Sequence, residues 1–262
     1  MLTRGHGLTG KPPIWIEWNR CRRGWQLAVR LRSKEPDDEA VTATRKCRAA
    51  VFDLDGVIVD TAKYHYLAWR RLAQELGFDF SSRGNERLKG VSRNRSLEIL
   101  LEIGGLPDHF STAEKAELAA RKNQWYVEFI AGMKPSELLP GAQECLADLR
   151  RRGIRTALGT ASKNAPLILD RLGIAPWFDA VVDGNRVTKA KPDPEIFLLA
   201  AHDLGIPPTD CVVFEDAEAG LQAAKFAGMY AVGIGDPEIL RNADRVLNGL
   251  IELNVDELFW AG

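Results

Sequence analysis

Cysteine is scarce in this sequence and never paired. The four present among 262 residues, Cys21, Cys47, Cys145 and Cys211, include no CxxC. That excludes a zinc-ribbon or disulfide framework and suits a reducing compartment with ordinary thiols. Net charge is also nearly absent, with 35 Lys and Arg against 36 Asp and Glu. Such a chain has no general field for collecting nucleic acid or an anionic membrane, so affinity for phosphate must come from a few placed groups. No apolar run approaches the ~18 residues that span a bilayer, and there is no internal repeat or low-complexity tract. The expectation is a soluble, cytoplasmic monomer whose partners are small molecules. At 45% hydrophobic residues, it has enough apolar material for one large domain or two smaller ones.

Residues 1–46 differ in composition from the rest. They carry ten Lys or Arg against five Asp or Glu, and three of the seven Trp (Trp15, Trp18, Trp25), which leaves the remainder near −6. We read them as a basic N-terminal extension, disordered or following a misassigned start. "PPIWIEWNRCRRGWQ" interrupts its hydrophobics with charge and proline, unlike a secretory signal. "WQLAVRLRS" has the pattern of a short basic amphipathic helix.

From residue 47 the pattern changes to short apolar runs bounded by Gly, Pro and Asp, at 48–54, 154–160, 179–183, 211–216 and 230–235. These read as parallel strands buried on both faces. Amphipathic stretches at 141–152, 163–172, 194–204 and 217–227 alternate with them, several ending at glycine. The alternation predicts an α/β fold, a doubly wound and mostly parallel sheet. Between 62 and 134 no strand signal occurs; three helical patterns, around Trp69 and Leu72, Leu97 and Leu100, and Leu118 and Trp125, predict an inserted helical cap. The expected domains are a core of 47–61 with 135–262, and a cap of 62–134.

In an open α/β sheet the working site lies at the carboxyl ends of the strands. "FDLDG" sets Asp53 and Asp55 there, and period-two alternation sends both carboxylates toward one small volume. Like charges so placed need a cation or a proton between them, which suggests Mg²⁺. "GTASKN" puts the hydroxyls of Thr160 and Ser162 at the next strand end, with Lys163 and Asn164 opening a helix whose amides favour anions. Lys191 in "KAKPDP" stands beside a proline that restrains its backbone. Glu215 and Asp216 in "FEDAEAG" add acidic groups opposite the first pair. Each has a plain structural alternative, as a helix cap, turn or solvated charge, but their coincidence at successive strand ends points to one site.

This order of motifs resembles the haloacid dehalogenase superfamily, from about residue 48 to beyond 235. Within it "FDLDGVIVDTAKYHYLAW", "LKGVSR", "RKN", "ASKN" and "KPDPEIF" are similar to the β-phosphoglucomutases. The resemblance implies that Asp53 is the nucleophile, forming an aspartyl phosphate, and Asp55 the general acid and base. It places Mg²⁺ on Asp53, the Asp55 carbonyl and Asp216, beside Glu215, with Thr160 and Lys191 on the transferring phosphoryl group. It also implies substrate contacts from His65, Trp69, Lys89 and Arg93 of the cap, from Ser162, Lys163 and Asn164 of the core, and from Thr61 at the junction. Glucose 1,6-bisphosphate would be the intermediate and activator in converting β-glucose 1-phosphate to glucose 6-phosphate. A sugar-phosphate phosphatase of the same superfamily differs only in the acceptor, and a non-catalytic module on this fold is the more distant alternative. Ala217 departs from the serine of many relatives and removes a hydroxyl near the metal.

Overall fold

The computed structural model describes residues 16–21, 24–29, 47–88 and 92–259. The chain divides into two compact units, Met1–Ala43 and Thr44–Gly262. In the first, β1 (Ile16–Cys21) pairs antiparallel with β2 (Gly24–Val29), Trp18 standing opposite Leu27. This corrects the helix expected over 25–33. Trp25, Leu27 and Val29 alternate with Gln26 and Ala28, and that period of two favours a strand. The remainder of the extension lies outside the described residues.

The second unit begins with β3 (Ala49–Phe52), followed by α1 (Ala62–Glu75), α2 (Ser82–Glu86), α3 (Arg93–Ile103) and α4 (Thr112–Ile130). Then come α5 (Ala142–Arg151), β4 (Arg155–Gly159), α6 (Ala165–Leu172), β5 (Ala180–Val182), α7 (Glu195–Leu204), β6 (Cys211–Glu215) and α8 (Glu218–Phe226). The chain closes with β7 (Tyr230–Ile234), β8 (Arg245–Leu247) and α9 (Val255–Leu258). The sheet is parallel throughout, in the order β5-β4-β3-β6-β7-β8. The chain runs outward from β3 through β4 to β5, then returns to lay β6 against the other side of β3. That reversal opens a crevice between the carboxyl ends of β3 and β6.

Both faces of the sheet are covered because β3, and β6 up to Glu215, are apolar at every position. Ala50, Phe52, Val212 and Phe214 pack with Leu146 and Leu149 of α5 and Ile168 of α6. Ala49, Val51 and Val213 face the other way, onto Phe197 of α7 and Leu221 of α8. Phe52 and Phe214, neighbours in register, stack at 4.8 Å. Truncating Phe52 to alanine would cost about 3–5 kcal/mol through the cavity left behind.

Helices α1 to α4 lie between β3 and α5, four where the sequence predicts three. The short α2, "SRGNE", buries no side chain and so leaves no apolar period to read; it starts because Ser81 accepts a hydrogen bond from the Gly84 N–H. α4 opens on a capping box between Ser111 and Glu114. The insertion leaves and rejoins the core through two adjacent segments: the Leu139 N–H donates to the Ile58 carbonyl, and Val59 bridges Leu138. Glu137 ties them further, accepting from Lys63 Nζ and the Tyr64 hydroxyl. Among the described residues no helix is long and apolar enough to cross a membrane.

Candidate active site

The floor of the site is built where β3 and β6 end. Register sets Phe52 against Phe214, and the Asp53 N–H continues the ladder by donating to the Phe214 carbonyl at 2.9 Å. Asp53 and Glu215 therefore leave adjacent strands side by side, and both are buried. Lys191, from the segment before α7, spans them: its ammonium lies 2.6 Å from Asp53 Oδ1 and 2.8 Å from Glu215 Oε2. Burial works against that ammonium, but the two carboxylates outweigh it and hold Lys191 above the usual lysine range. Burial pushes the Glu215 carboxyl above the usual carboxylate range; Lys191 opposes the shift and Asp53 adds to it.

Oxygens of Asp53, Glu215 and Asp216 lie within 4.8 Å of one another. Two glycines let the chain close this tightly. A Cβ on Gly56, which has φ +76°, would fall 2.0 Å from Asp216 Oδ2. One on Gly220, in the first turn of α8, would fall 2.1 Å from Glu215 Cδ. No alanine fits either place without displacing a carboxylate.

After Asp53 the chain makes a tight turn, closed by the Gly56 N–H to the Val59 carbonyl and by Ile58 and Val59 N–H groups to the Leu54 carbonyl. That turn presents Asp55, whose Oδ1 accepts the Thr61 hydroxyl. Thr61 stands at the head of α1 but its hydroxyl does not cap the helix; Asp60 Oδ1 accepts the Ala62 N–H at 2.9 Å instead. The Asp55 carboxyl is pushed up to about 7 by burial and by the neighbouring Asp53, with Thr61 pulling the other way.

Thr160 follows β4, its N–H donating to the Val182 carbonyl at 3.0 Å. Its Oγ1 accepts the Ser162 N–H at 3.2 Å, and Ser162 Oγ accepts the Asn164 N–H at 3.4 Å. Both hydroxyls thus turn the chain into α6 as acceptors, which leaves each a proton to donate. Lys163 is exposed and Asn164 is the residue before α6 begins.

The cap supplies the opposite wall. His65 and Trp69 share a face of α1, as their spacing predicts, and there they meet Lys122 of the "RKN" stretch, to which the sequence alone assigns no role. Lys122 Nζ lies 2.8 Å from His65 Nδ1, over the Trp69 ring at 4.5 Å and the Tyr126 ring at 5.0 Å. His65 stacks on Tyr126 with ring centroids 4.0 Å apart. The signal for Lys122 was present: Leu118, Lys122, Trp125 and Phe129 follow one stripe of α4, and a lysine inside an apolar stripe is a buried lysine. Lys122 is lowered to about 7 by burial and by the charge of Arg93. His65 is lowered to about 3 by burial, Lys122 and Arg93. Arg93 opens α3, where a cation opposes the helix dipole unless an anion joins it. Lys89 lies outside the described residues.

The chain matches the family described as haloacid dehalogenase-like hydrolase over residues 47–228. It is 46% identical to the β-phosphoglucomutase of Bacillus subtilis across 80% of this chain and 93% of that protein. It is 34% identical to a phosphorylated carbohydrates phosphatase of Thermotoga maritima across 70% and 83%. The crystal structure of β-phosphoglucomutase from Clostridium difficile superposes with a TM-score of 0.73 at 42% identity, covering 80% of this chain and 94% of that one.

Proposed function

Because the chain belongs to the haloacid dehalogenase-like hydrolases, we propose that it is a β-phosphoglucomutase, interconverting β-D-glucose 1-phosphate and glucose 6-phosphate through β-glucose 1,6-bisphosphate. The observation that carries the reading is the meeting of two unlike walls. A carboxylate floor with one ammonium, Asp53–Lys191–Glu215, underlies a cap wall of His65, Lys122 and Arg93 that holds cationic groups and, among the described residues, no carboxylate partner for Lys122. The floor suits a phosphoryl group in transit and the wall suits a second, resting phosphate. Identity of 46% to a mutase, against 34% to a phosphatase, supports the same choice.

Asp53 attacks phosphorus and the sugar oxygen departs with the proton of Asp55, leaving an aspartyl phosphate. In the other half-reaction the C6 hydroxyl of an incoming β-glucose 1-phosphate gives its proton to Asp55 and takes that phosphoryl group, forming the β-glucose 1,6-bisphosphate whose C1 phosphate Asp53 next attacks to release glucose 6-phosphate. Lys191 fixes the Asp53 oxygen that does not attack, and Thr160 offers its hydroxyl proton to a phosphoryl oxygen. The floor fits Mg²⁺: its convergent donors are carboxylate oxygens, with neither His nor Cys among them. Asp53, Asp216 and the Asp55 carbonyl would hold the ion beside Glu215. Bound there, it supplies positive charge to the phosphoryl oxygens.

The test is one reaction containing β-glucose 1-phosphate, Mg²⁺ and a trace of β-glucose 1,6-bisphosphate, followed for glucose 6-phosphate and free phosphate together. Glucose 6-phosphate outrunning phosphate, and stopping when a chelator is added, is the expected result. Free phosphate as the main product makes the protein a phosphatase and returns His65, Lys122 and Arg93 to substrate binding alone.

A further inference from the structure

Lys191 rides on the connection from β5 to α7, where packing does little to fix it. Thr188, Lys189, Ala190 and Pro192 around it are exposed, yet its ammonium reaches Asp53 at 2.6 Å and Glu215 at 2.8 Å together. The ion pair of Lys189 with Asp193, at the surface, adds little. The loop is closed by Glu195, the first residue of α7. Its Oε2 accepts the Thr188 N–H at 3.0 Å and the Lys189 N–H at 2.7 Å, and its Oε1 accepts the Thr188 hydroxyl at 3.0 Å. The Lys189 amide is the first of the groups that hold the Glu195 carboxyl below the usual carboxylate range, so it is an anion at neutral pH.

We propose that Glu195 is a positioning residue for Lys191, its carboxylate clamping the Thr188 and Lys189 amides so that the lysine two residues on emerges at a fixed distance from Asp53 and Glu215. The proposal rests on Lys191 serving phosphoryl transfer. The clamp joins the two ends of the loop, 188–189 and 195, with Lys191 between them. Phe197, whose ring lies 4.9 Å from the Lys191 ammonium, follows Glu195 by two residues on α7. One helix start therefore fixes both the backbone that carries the lysine and the surface on which its ammonium rests. A lysine stem is long and flexible, so without the clamp the two ion pairs alone would have to hold a mobile loop, and the ammonium would spread over several positions.

Three variants separate contact from charge. Glu195→Ala removes both. Glu195→Asp keeps the charge but is one methylene short of the amides, and Glu195→Gln loses the charge but keeps an oxygen that can accept from both. Misplacing a group by about 1 Å can cost about 10²-fold in rate. A loosened loop should lower kcat about tenfold in Glu195→Ala and Glu195→Asp while KM moves less than about twofold, and Glu195→Gln should recover kcat to within about threefold of wild type. A second readout needs no turnover: the ¹H–¹⁵N correlation of the Lys191 ammonium, assigned through its side-chain carbons. Held by two carboxylates away from water, it should give a signal at neutral pH in the wild type and in Glu195→Gln, and lose it to exchange in the other two.

An unchanged kcat in Glu195→Ala overturns the proposal. Recovery by Glu195→Asp and not by Glu195→Gln also overturns it, since the field of the carboxylate and not its grip on the amides would then be the cause. So does a fall in kcat that leaves the Lys191 ammonium signal as it is in the wild type, because the loss would then arise elsewhere. Should the wild-type protein release free phosphate in place of glucose 6-phosphate, the mutase reading fails separately. The ratio of variant to wild type still decides the role of Glu195, because Lys191 attends the phosphoryl group whichever acceptor takes it.

Discussion

Lys191 and Lys122 are both withdrawn from water, yet they are held in opposite company. Lys191 lies between two carboxylates at 2.6 and 2.8 Å, and its charge is fixed. Lys122 has an imidazole at 2.8 Å and two aromatic faces around it, and burial brings it down to about 7. Burial alone therefore does not decide whether a lysine is a cation; its neighbours do. The core holds a permanent charge where phosphoryl transfer needs the same field in every cycle. The cap holds a charge that can be completed by an arriving anion, since a phosphate beside Lys122 supplies what the protein withholds.

The largest break in this comparison comes from the acidic side of the core. Asp53→Ala removes both the proposed nucleophile and a partner of Lys191, and turnover in the coupled assay should become undetectable. Next come the lysines themselves, whose removal should move stability in opposite directions. Lys191→Met leaves Asp53 and Glu215 buried without their cation, and chemical denaturation should report a loss of about 3–5 kcal/mol. Lys122→Met replaces an ammonium that is poorly accommodated with an apolar chain of similar length. Its stability at neutral pH should equal or exceed that of the wild type by about 1 kcal/mol or more. A loss comparable to that of Lys191→Met would show that the rings and imidazole compensate the charge of Lys122 fully.

The contrast between the two lysines also marks how far the sequence could be read. Asp53, Asp55, Thr160, Lys191, Glu215 and Asp216 were legible because each ends a strand or follows one, and a parallel sheet brings such positions together by topology alone. Five of the six sheet strands were legible for a related reason: they are apolar on both faces. β8 has three residues, "RVL", too short for any period. The cap was legible as helical but not as a wall. Its groups meet across two helices, α1 and α4, and no spacing within either one says that His65 will find Lys122. Tyr126 looked like one more apolar position, and its place against His65 and Lys122 exists only in three dimensions.

Smaller effects sharpen the comparison through pH. Lys122 protonates at about 7 in the folded chain against 10.5 in an ordinary lysine. Between those values the unfolded chain binds a proton that the folded one does not. Stability should therefore rise with pH across that window, by up to about 1.4 kcal/mol per pH unit for one proton. His65, lowered from 6.5 to about 3, adds a slope of the same sign at acid pH, stability falling as pH drops through that range. Lys191, shifted upward, contributes fully below the ordinary lysine value and gives no slope in the neutral range. Denaturation at pH 7 and pH 10 should show the rise in the wild type and its loss in Lys122→Met.

The smallest expected effect isolates Arg93, whose charge is the second cause of the depression at Lys122 and the third at His65. Arg93→Ala removes a like charge from the wall without touching its packing, so the Lys122 midpoint should move upward, toward the ordinary lysine value. Carbon-detected NMR of the Lys122 Cε reads that midpoint directly. Burial is the larger cause and stays, so Lys122 should remain well below Lys191. An unmoved midpoint would mean that the guanidinium is screened from the wall by solvent, leaving burial as the sole origin of the difference between the two lysines.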